Sequence, residues 1–287
     1  MNKTIGFIGL GNMASAIIGG MLQKGVATAE NIIGFDVAAG ARENAKSKFG
    51  ICTAEGNCEA ASKADILFLA VKPIFMAEVI AEIKSVVRPE TVIVSIAAGK
   101  SLAFLEKAFC VERKETKEEG AVAEAQAKDT AGKCKIIRCM PNTPALVLEG
   151  CTGVTPNANV SDEELETVLE LLRAFGKAYV VPERLMDAVV GVSGSSPAYV
   201  FIFIEAMADA AVAAGMPRKQ AYDFAAQAVL GSAKMVLETG IHPAELKDMV
   251  CSPGGTTIDA VKVLEEKGFR AAVMGAMEVC IEKSKNL

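Results

Sequence analysis

The first two thirds of the chain alternate two kinds of hydrophobic pattern. Short runs rich in Ile, Val, Leu and Phe predict strands that are buried on both faces. These runs are "TIGFIG" (4–9), "NIIGFD" (31–36), "ADILFLAVK" (64–72), "TVIVSIA" (91–97), "KIIRCMP" (135–141) and "AYVVP" (178–182). Between them, apolar residues recur at helical spacing, often before a glycine that would end the helix. The predicted helices are 12–25, 41–50, 74–87 and 162–175. The alternation predicts an α/β fold with a doubly wound parallel sheet.

The pattern changes after Pro182. The remainder is rich in Ala, Met and Leu at helical spacing, with Ser or Thr starts and Gly stops, which predicts helices at 196–215, 217–240 and 256–268. We therefore expect a first domain over residues 1–182 and an all-α domain over residues 183–287. Because apolar positions nearly encircle each helix, a small domain cannot bury them all, which favours a dimerisation domain. A compact helical bundle in a monomer is the alternative.

One charged segment, Val111–Lys133, departs from both patterns. It lacks aromatic residues and has no bulky apolar residue after Val122. With so little to bury, we expect a solvated insertion in the first domain, between a helix and the strand at Lys135.

Composition narrows the classes of function. The 287 residues carry a net charge of −5 with scattered lysines, which argues against a nucleic-acid partner. Eight cysteines without a C-x-x-C pair and a single histidine make a metal site improbable. Unpaired thiols fit a reducing, cytoplasmic location.

Two apolar stretches resemble membrane or export signals in part. Glycines interrupt the opening run too often for a signal peptide. The run from Ala198 to Ala214 contains Glu205 and Asp209 and is too short to cross a bilayer, so we expect a helix buried in a protein core. The sequence thus predicts a soluble protein without a membrane partner.

A glycine turn follows the first predicted strand and opens the first helix. In Gly9-x-Gly11-x-x-Ala14, Gly9 permits a tight turn, Gly11 lets a pyrophosphate approach and Ala14 keeps helix and strand close. The helix start offers free N–H groups to the phosphates. A structural turn is the alternative, but the flanking strand and helix favour a Rossmann-type dinucleotide site.

Asp36, at the end of the second predicted strand, bears on the choice of cofactor. An acid there accepts hydrogen bonds from the ribose hydroxyls and repels a 2′-phosphate, which favours NADH. Arg42 would instead hold that phosphate if the loop "VAAGAR" curls back. Both NAD and NADP therefore stay open.

Three further predicted strands end in small or turn-forming residues on the same sheet edge. They are "AVKP" (70–73), "SIAAG" (95–99) and "MPNTP" (140–144), which suit a nicotinamide pocket. Lys72 would line that crevice or lie on the surface, and Asn142 would contact the cofactor or form a turn.

A second glycine turn, "SPGGTT" from Ser252 to Thr257, precedes another helix. Its two glycines free the backbone, and the N–H groups of Thr256 and Thr257 point out of the helix start beside the hydroxyls of Ser252 and Thr257. A simple N-cap is the alternative, but the turn holds more polar groups than a cap needs and favours a carboxylate site.

Missing residue types also inform the chemistry. There is no Ser-His-Asp set, and His242 precedes a proline in a predicted loop. A reduction by NAD(P)H without a strong protein acid suits an imine, which as an iminium already carries its proton.

The chain resembles bacterial pyrroline-5-carboxylate reductases from end to end, apart from Val111–Lys133. The matching motifs are "IGFIGLGNM", "AVKP", "SIAAG", "IIRCMPNTPALV", "VVGVSGSSPAYVF", "FAAQAVLGSAKMV" and "LKDMVCSPGGTTIDAVKVLEEKGFR". The last is highly specific, whereas the first is shared with many dehydrogenases.

The resemblance implies that this chain reduces 1-pyrroline-5-carboxylate to L-proline, the last step of proline biosynthesis. It implies a homodimer, with a helical domain that intertwines the two subunits, and dimers that often assemble into decamers. Because the second turn lies in the domain that we expect to dimerise, we expect it to face the cofactor of the partner chain. The resemblance implies that Gly9, Gly11, Asn12, Met13 and Ala14 hold the pyrophosphate, that Asn57 contacts the adenosine ribose, and that Val71, Lys72 and Ala98 flank the nicotinamide. Asp36, Ala70 and Asn142 are candidate cofactor-binding residues because of their places at the strand ends. The implied substrate-binding residues are Ser252, Gly255, Thr256, Thr257, Ser195 and Ser196, with Thr257 catalytic through its hydroxyl on the ring nitrogen.

Two other functions were considered. A 3-hydroxyacid dehydrogenase of the hydroxyisobutyrate type begins with nearly the same glycine turn, but it needs a lysine soon after its "GxSGG"-like turn, and here none occurs before Lys219. A non-catalytic dinucleotide-binding regulator would not need the second turn.

Overall fold

The computed structural model describes residues 3–110 and 134–286. The charged segment Val111–Lys133 lies outside the described residues, so its solvated character stays a prediction.

Eight strands form one sheet in the order β3-β2-β1-β4-β5-β6-β7-β8. The strands are β1 Ile5–Ile8, β2 Ile32–Phe35, β3 Cys52–Thr53, β4 Ile66–Leu69, β5 Val92–Ser95, β6 Lys135–Met140, β7 Gly150–Pro156 and β8 Gly176–Val180.

The helices that accompany this sheet follow the predicted alternation. They are α1 Asn12–Gln23, α2 Ala39–Phe49, α3 Asn57–Lys63, α4 Met76–Ile83, α5 Leu102–Phe109, α6 Asp162–Arg173 and the short α7 Met186–Val189. Short 3₁₀ turns lie at Ala29–Asn31, Pro73–Phe75, Thr143–Val147 and Glu183–Leu185, and a π-helical turn lies at Val190–Gly194.

The predicted α/β sheet is confirmed, but it is not wholly parallel. Strand β7 runs antiparallel to β6, and every other neighbouring pair is parallel. The chain reaches β7 through the short turn Thr143–Val147, whereas a parallel partner would need a crossover of about a dozen residues. The hydrophobic pattern missed β7, "GCTGVTP", because glycine and threonine dilute its apolar run. It also missed β3, which has only two residues.

Apolar residues cover both faces of the sheet. At its centre the rings of Phe7 on β1 and Phe68 on β4 stack with centroids 4.8 Å apart. One buried cluster includes α1 and α6, and the other includes α3, α4 and α5. These clusters fix the strand ends, and hence the loops that carry the glycine turn.

The remaining helices are α8 Ser196–Ala213, α9 Arg218–Thr239, α10 Pro243–Val250, α11 Thr256–Glu266 and α12 Phe269–Lys285. The chain divides into two compact units, Met1–Gly194 with Ile281–Leu287, and Ser195–Cys280. The domain ranges 1–182 and 183–287 stay a prediction.

The helical unit leaves many large apolar side chains exposed. Helix α8 was expected in a protein core, but Phe201 and Ile202 are 63% and 66% exposed. Other exposed apolar residues of this unit include Phe224, Leu230, Leu237, Met249, Met274 and Val279. Within a single chain these side chains are not covered, so they are available to another surface.

The length argument against a membrane-spanning helix is wrong. Helical turns begin at Glu183 and continue to Ala213, a stretch of 31 residues with a mean hydropathy of 1.4 in its most apolar part. By length and composition alone, this stretch is able to span a bilayer. The apolar run in the sequence was too short because it began only at Ala198.

Candidate functional site

The first glycine turn crosses closely over the end of β4. Gly9 has φ of +93° and donates its N–H to the carbonyl of Phe35 at 2.8 Å. A Cβ at Gly9 would lie 2.6 Å from the carbonyl oxygen of Ala70. Both the backbone angle and the close approach require glycine here.

The turn leads into an open helix start. Gly11 is the N-cap of α1 and has no side chain with which to accept the first N–H groups. A Cβ at Gly11 would meet no described atom within 4 Å, and Gly11 and Asn12 are both exposed. Met13 is half-buried and Ala14 is buried against the core, as the predicted spacing requires. The N-terminal N–H groups and the positive end of α1 thus face space that an anion can enter.

Asp36 lies next to this turn and is held by backbone N–H groups. Its carboxylate accepts from Leu10, inside the glycine turn, at 2.8 Å and from Ala38 at 2.9 Å. The side chain therefore connects the end of β2 to the dinucleotide turn. It also places a negative charge at the strand end where an adenosine ribose binds in this fold.

Arg42 curls back to the same place. Its guanidinium donates to the backbone carbonyl of Asp36 and lies over the ring of Phe35, 5.3 Å from the centroid. An acid and a cation thus stand at one strand end, and the geometry leaves NAD and NADP both open.

Asn57 is the first residue of α3 and is buried. Its amide nitrogen donates to the Glu82 carboxylate at 2.7 Å. The sequence did not single out Glu82, because its partner lies 25 positions away.

The other strand ends meet the turn as expected from the sheet order. Ala70 follows β4 and donates its N–H to Ile8 at 2.8 Å, which aligns this loop with the end of β1. Val71 and Ala98 are half-buried after β4 and β5, and Lys72 is exposed. These backbone segments line one edge of the sheet.

Both polar atoms of the Asn142 side-chain amide form hydrogen bonds within the protein. Its Oδ1 accepts from the Cys151 N–H at 2.8 Å, and its Nδ2 donates to the Ser193 carbonyl at 3.1 Å. This geometry favours the structural alternative, since the amide already holds β7 and the π-helical turn together.

An ion pair that the sequence analysis missed lies in the same unit. Arg138, buried within β6, donates to Glu183 at 3.0 Å, and Glu183 also accepts from the Leu102 N–H at 2.7 Å. A charged residue inside the apolar run "KIIRCMP" was the available signal, because a buried guanidinium requires a partner.

The second glycine turn is a type II β-turn. The Ser252 carbonyl accepts from the Gly255 N–H at 3.0 Å, and Gly254 has φ of +69°, with Pro253 before it. Gly255 is then the N-cap of α11, which begins at Thr256. Ser252 and Thr256 are exposed and Thr257 is half-buried. The predicted helix start is confirmed, and its first N–H groups have no capping side chain at Gly255.

Ser195 and Ser196 begin α8, and Ser195 contacts the last long helix. The Cys280 thiol donates to the Ser195 hydroxyl at 3.0 Å. Partial burial, followed by the hydrogen bond to Cys280, raises the pKa of Tyr199.

Two segments of the chain match known protein families. Residues 4–99 match a family described as NADP oxidoreductase, coenzyme F420-dependent. Residues 183–287 match a family described as pyrroline-5-carboxylate reductase dimerisation. A pyrroline-5-carboxylate reductase from Escherichia coli K12 is 54% identical over 100% of this chain and 99% of its own length.

The chain belongs to the pyrroline-5-carboxylate reductase family.

Solved structures of this family have the same fold. A pyrroline-5-carboxylate reductase from Coxiella burnetii has a TM-score of 0.86 at 31% identity and covers 100% of this chain and 98% of its own. The enzyme from Plasmodium falciparum, solved with NADP bound, has a TM-score of 0.84 at 30% identity, with coverage of 99% and 98%.

The rival dehydrogenase shares the fold alone. A 3-hydroxyisobutyrate dehydrogenase from Mycobacterium tuberculosis has a TM-score of 0.50 at 16% identity, covering 90% of this chain and 72% of its own. The resemblance to pyrroline-5-carboxylate reductases stated from the motifs is confirmed.

Substitution of the two glycines separates their roles. Gly9→Ala should lower the Tm, because strain at such a backbone angle costs about 1–3 kcal/mol and the new methyl group meets Ala70. Gly11→Ala should leave the Tm unchanged but raise the Kd for NADPH at least about tenfold, or about 1.4 kcal/mol, because its methyl group enters the phosphate space. Thermal unfolding and fluorescence titration measure the two effects. Unchanged NADPH affinity in Gly11→Ala would place the phosphates elsewhere.

Proposed function

We propose that this protein reduces 1-pyrroline-5-carboxylate to L-proline with NADH or NADPH, the last step of proline biosynthesis. The observation that carries the proposal is the match to pyrroline-5-carboxylate reductases over the whole chain at up to 54% identity. Each unit contributes one exposed glycine turn that opens a helix, which gives an anion site for the cofactor and one for the substrate.

The residues of the first turn fit a dinucleotide. The open space at Gly11 and the uncapped start of α1 accept the pyrophosphate through the N–H groups of Asn12, Met13 and Ala14. When bound, the reduced dinucleotide supplies the hydride. The loops after β4 and β5 (Ala70–Lys72 and Ala98) would border the nicotinamide, and Asp36 and Asn57 the adenosine ribose.

The second turn fits a carboxylate. Gly255 has no side chain to cap the start of α11, so the N–H groups of Thr256 and Thr257 are available to an anion, and Ser252 in the turn before them is exposed. The positive end of the helix stabilises the carboxylate charge by about 0.3–1 kcal/mol. Gly255, Ser195 and Ser196 would shape the remainder of the substrate pocket.

The Thr257 hydroxyl orients the ring nitrogen. An iminium carries its proton already, so its C=N carbon needs only the hydride, and the product amine keeps the proton. Thr257 then accepts a hydrogen bond from the N–H of the iminium, which holds one face of the ring toward the hydride donor. This role fits a site without a histidine, since the only histidine, His242, lies at the N-cap of α10.

The helical domain mediates dimerisation. Residues 183–287 match the dimerisation family, and the large exposed side chains of α8, α9 and α12 supply an apolar surface for a second copy. We further propose that dimers assemble into a decamer in the cytoplasm, without nucleic acid or membrane as partners. The net charge of −5 argues against a nucleic-acid partner, and the scattered cysteines support the cytoplasm.

The reaction itself provides the decisive test. Purified protein should oxidise NADH or NADPH in the presence of pyrroline-5-carboxylate and form proline in equal amount, measured by absorbance and amino-acid analysis. A 3-hydroxyacid in place of the imine, with the oxidised cofactor, should give no turnover. Folded protein that binds the dinucleotide but forms no proline would favour the regulator instead.

The Thr257 hydroxyl can be removed without touching the backbone. Thr257→Ala should lower kcat/KM for the imine by roughly 10- to 150-fold, because a hydrogen bond to a charged group contributes about 1.5–3 kcal/mol. The Kd for NADPH should not change. Thr256→Ala is the matched control, since it removes the neighbouring hydroxyl and keeps the N–H. Equal losses in both variants would contradict the assignment.

The charge of Asp36 should set the relative use of the two cofactors. Asp36→Ser removes its repulsion of a 2′-phosphate and should raise the NADPH-to-NADH ratio of kcat/KM roughly tenfold, or about 1.4 kcal/mol. Asp36→Asn is the matched control for the contact with Leu10, because it removes the charge and keeps an acceptor oxygen. If neither variant changes the ratio, Asp36 does not face the ribose.

A further inference from the structure

Two cysteines stand at the two ends of the charged segment. Cys110 directly follows α5, and Cys134 directly precedes β6. Both are half-buried free thiols. All the chain between them belongs to the segment 111–133, so a bond between these cysteines would close that segment as a loop.

Asn157 holds the two ends together. Its amide nitrogen donates to the Glu106 carboxylate at 2.9 Å and to the backbone carbonyl of Cys134 at 2.9 Å. Cys110 lies one helical turn beyond Glu106, since its N–H donates to the Glu106 carbonyl at 3.1 Å. The last turn of α5 and the first residues before β6 therefore share one corner of the sheet unit.

The charge of Cys110 also affects the thiol of Cys134. Burial, followed by the charges of Cys110 and then Glu106, raises the pKa of the Cys134 thiol. Cys134 packs against the apolar cluster that contains Leu105 and Phe109. This influence agrees with the shared corner that the Asn157 hydrogen bonds define.

We propose that Cys110 and Cys134 form a reversible intramolecular disulfide on exposure to a low-molecular-weight disulfide such as oxidised glutathione. The Cys110 thiolate attacks one glutathione sulfur, breaks the glutathione S–S bond and releases one glutathione thiolate. Cys134 then loses its proton, attacks the Cys110 sulfur and releases the second glutathione. The two protein thiols are oxidised, and one glutathione disulfide is reduced to two thiols.

The surroundings of Cys134 assign the order of these steps. Its raised pKa reduces the share of thiolate, which makes it the slower attacking group on an external disulfide. Once Cys110 carries glutathione, the neighbouring position of Cys134 makes its attack intramolecular and hence favoured. Cys139, which lies within β6, is fully buried, and this burial strongly raises the pKa of its thiol.

The test equilibrates the full-length protein in glutathione buffers of increasing oxidised share and then alkylates the remaining thiols. Among the eight cysteines, Cys110 and Cys134 should be the first that the alkylating reagent no longer labels. Tryptic peptides 108–113 and 134–135 should be recovered joined and lighter by two hydrogen atoms. Dithiothreitol should restore both thiols. On a non-reducing gel the oxidised chain should keep the mobility of a single chain.

Single variants provide the controls. Cys110→Ser should abolish the joined peptides and leave Cys134 alkylated, and Cys134→Ser should leave Cys110 with glutathione attached. Cys52→Ser, which removes an exposed cysteine elsewhere in the same unit, should change nothing. The proposal is overturned if wild-type protein carries glutathione on the two cysteines separately. It is equally overturned if the two cysteines join different chains, or if both stay reduced when the other cysteines oxidise.

Discussion

The close crossing of the first glycine turn over the end of β4 is the constraint on which the nucleotide-binding unit depends. Gly9 takes a left-handed backbone angle within reach of the Ala70 carbonyl, and any side chain there would collide with backbone. That crossing directs the chain from β1 into α1 so that the helix start remains open. It also lets the Leu10 N–H bind the Asp36 carboxylate, so three strand ends are fixed together.

Polar features near the strand ends and helix starts divide into two groups. Some, such as Asn142 and Arg138, form hydrogen bonds with other parts of the protein and so hold loops and strands in place. By contrast, the helix starts after Gly11 and Gly255 have no capping side chain at these glycines, so their first N–H groups fit an anion. Members of the first group are costly to displace, because their buried polar atoms have satisfied partners.

The helical unit differs from the sheet unit in how far it buries its apolar side chains. Its helices carry apolar residues on most faces, yet a single chain leaves Phe201, Ile202 and Leu237 largely exposed. Exposed apolar area on this scale is unfavourable in water unless another surface covers it. Residues 183–287 match a dimerisation family, so a second copy of this region would supply that surface. The stability of this part of the protein is then linked to its assembly.

The sequence by itself determined the strand–helix alternation, the glycine turn at Gly9 and Gly11, and the helix start at Thr256, because period and turn chemistry are local properties. It also identified the family through long, specific motifs. The sequence could not determine the reversal at β7, since the direction of a strand depends on the length and path of its connection. It could not determine which side chains of α8 stay exposed in a single chain, because burial depends on what packs against a helix. Only the tertiary structure decided that Asn142 bridges Cys151 and Ser193, that Arg138 pairs with Glu183, and that Asp36 holds Leu10. Apart from Asn142 and Cys151, these partners lie 26 to 51 positions apart in the chain, and their contact arises from the packing of the sheet.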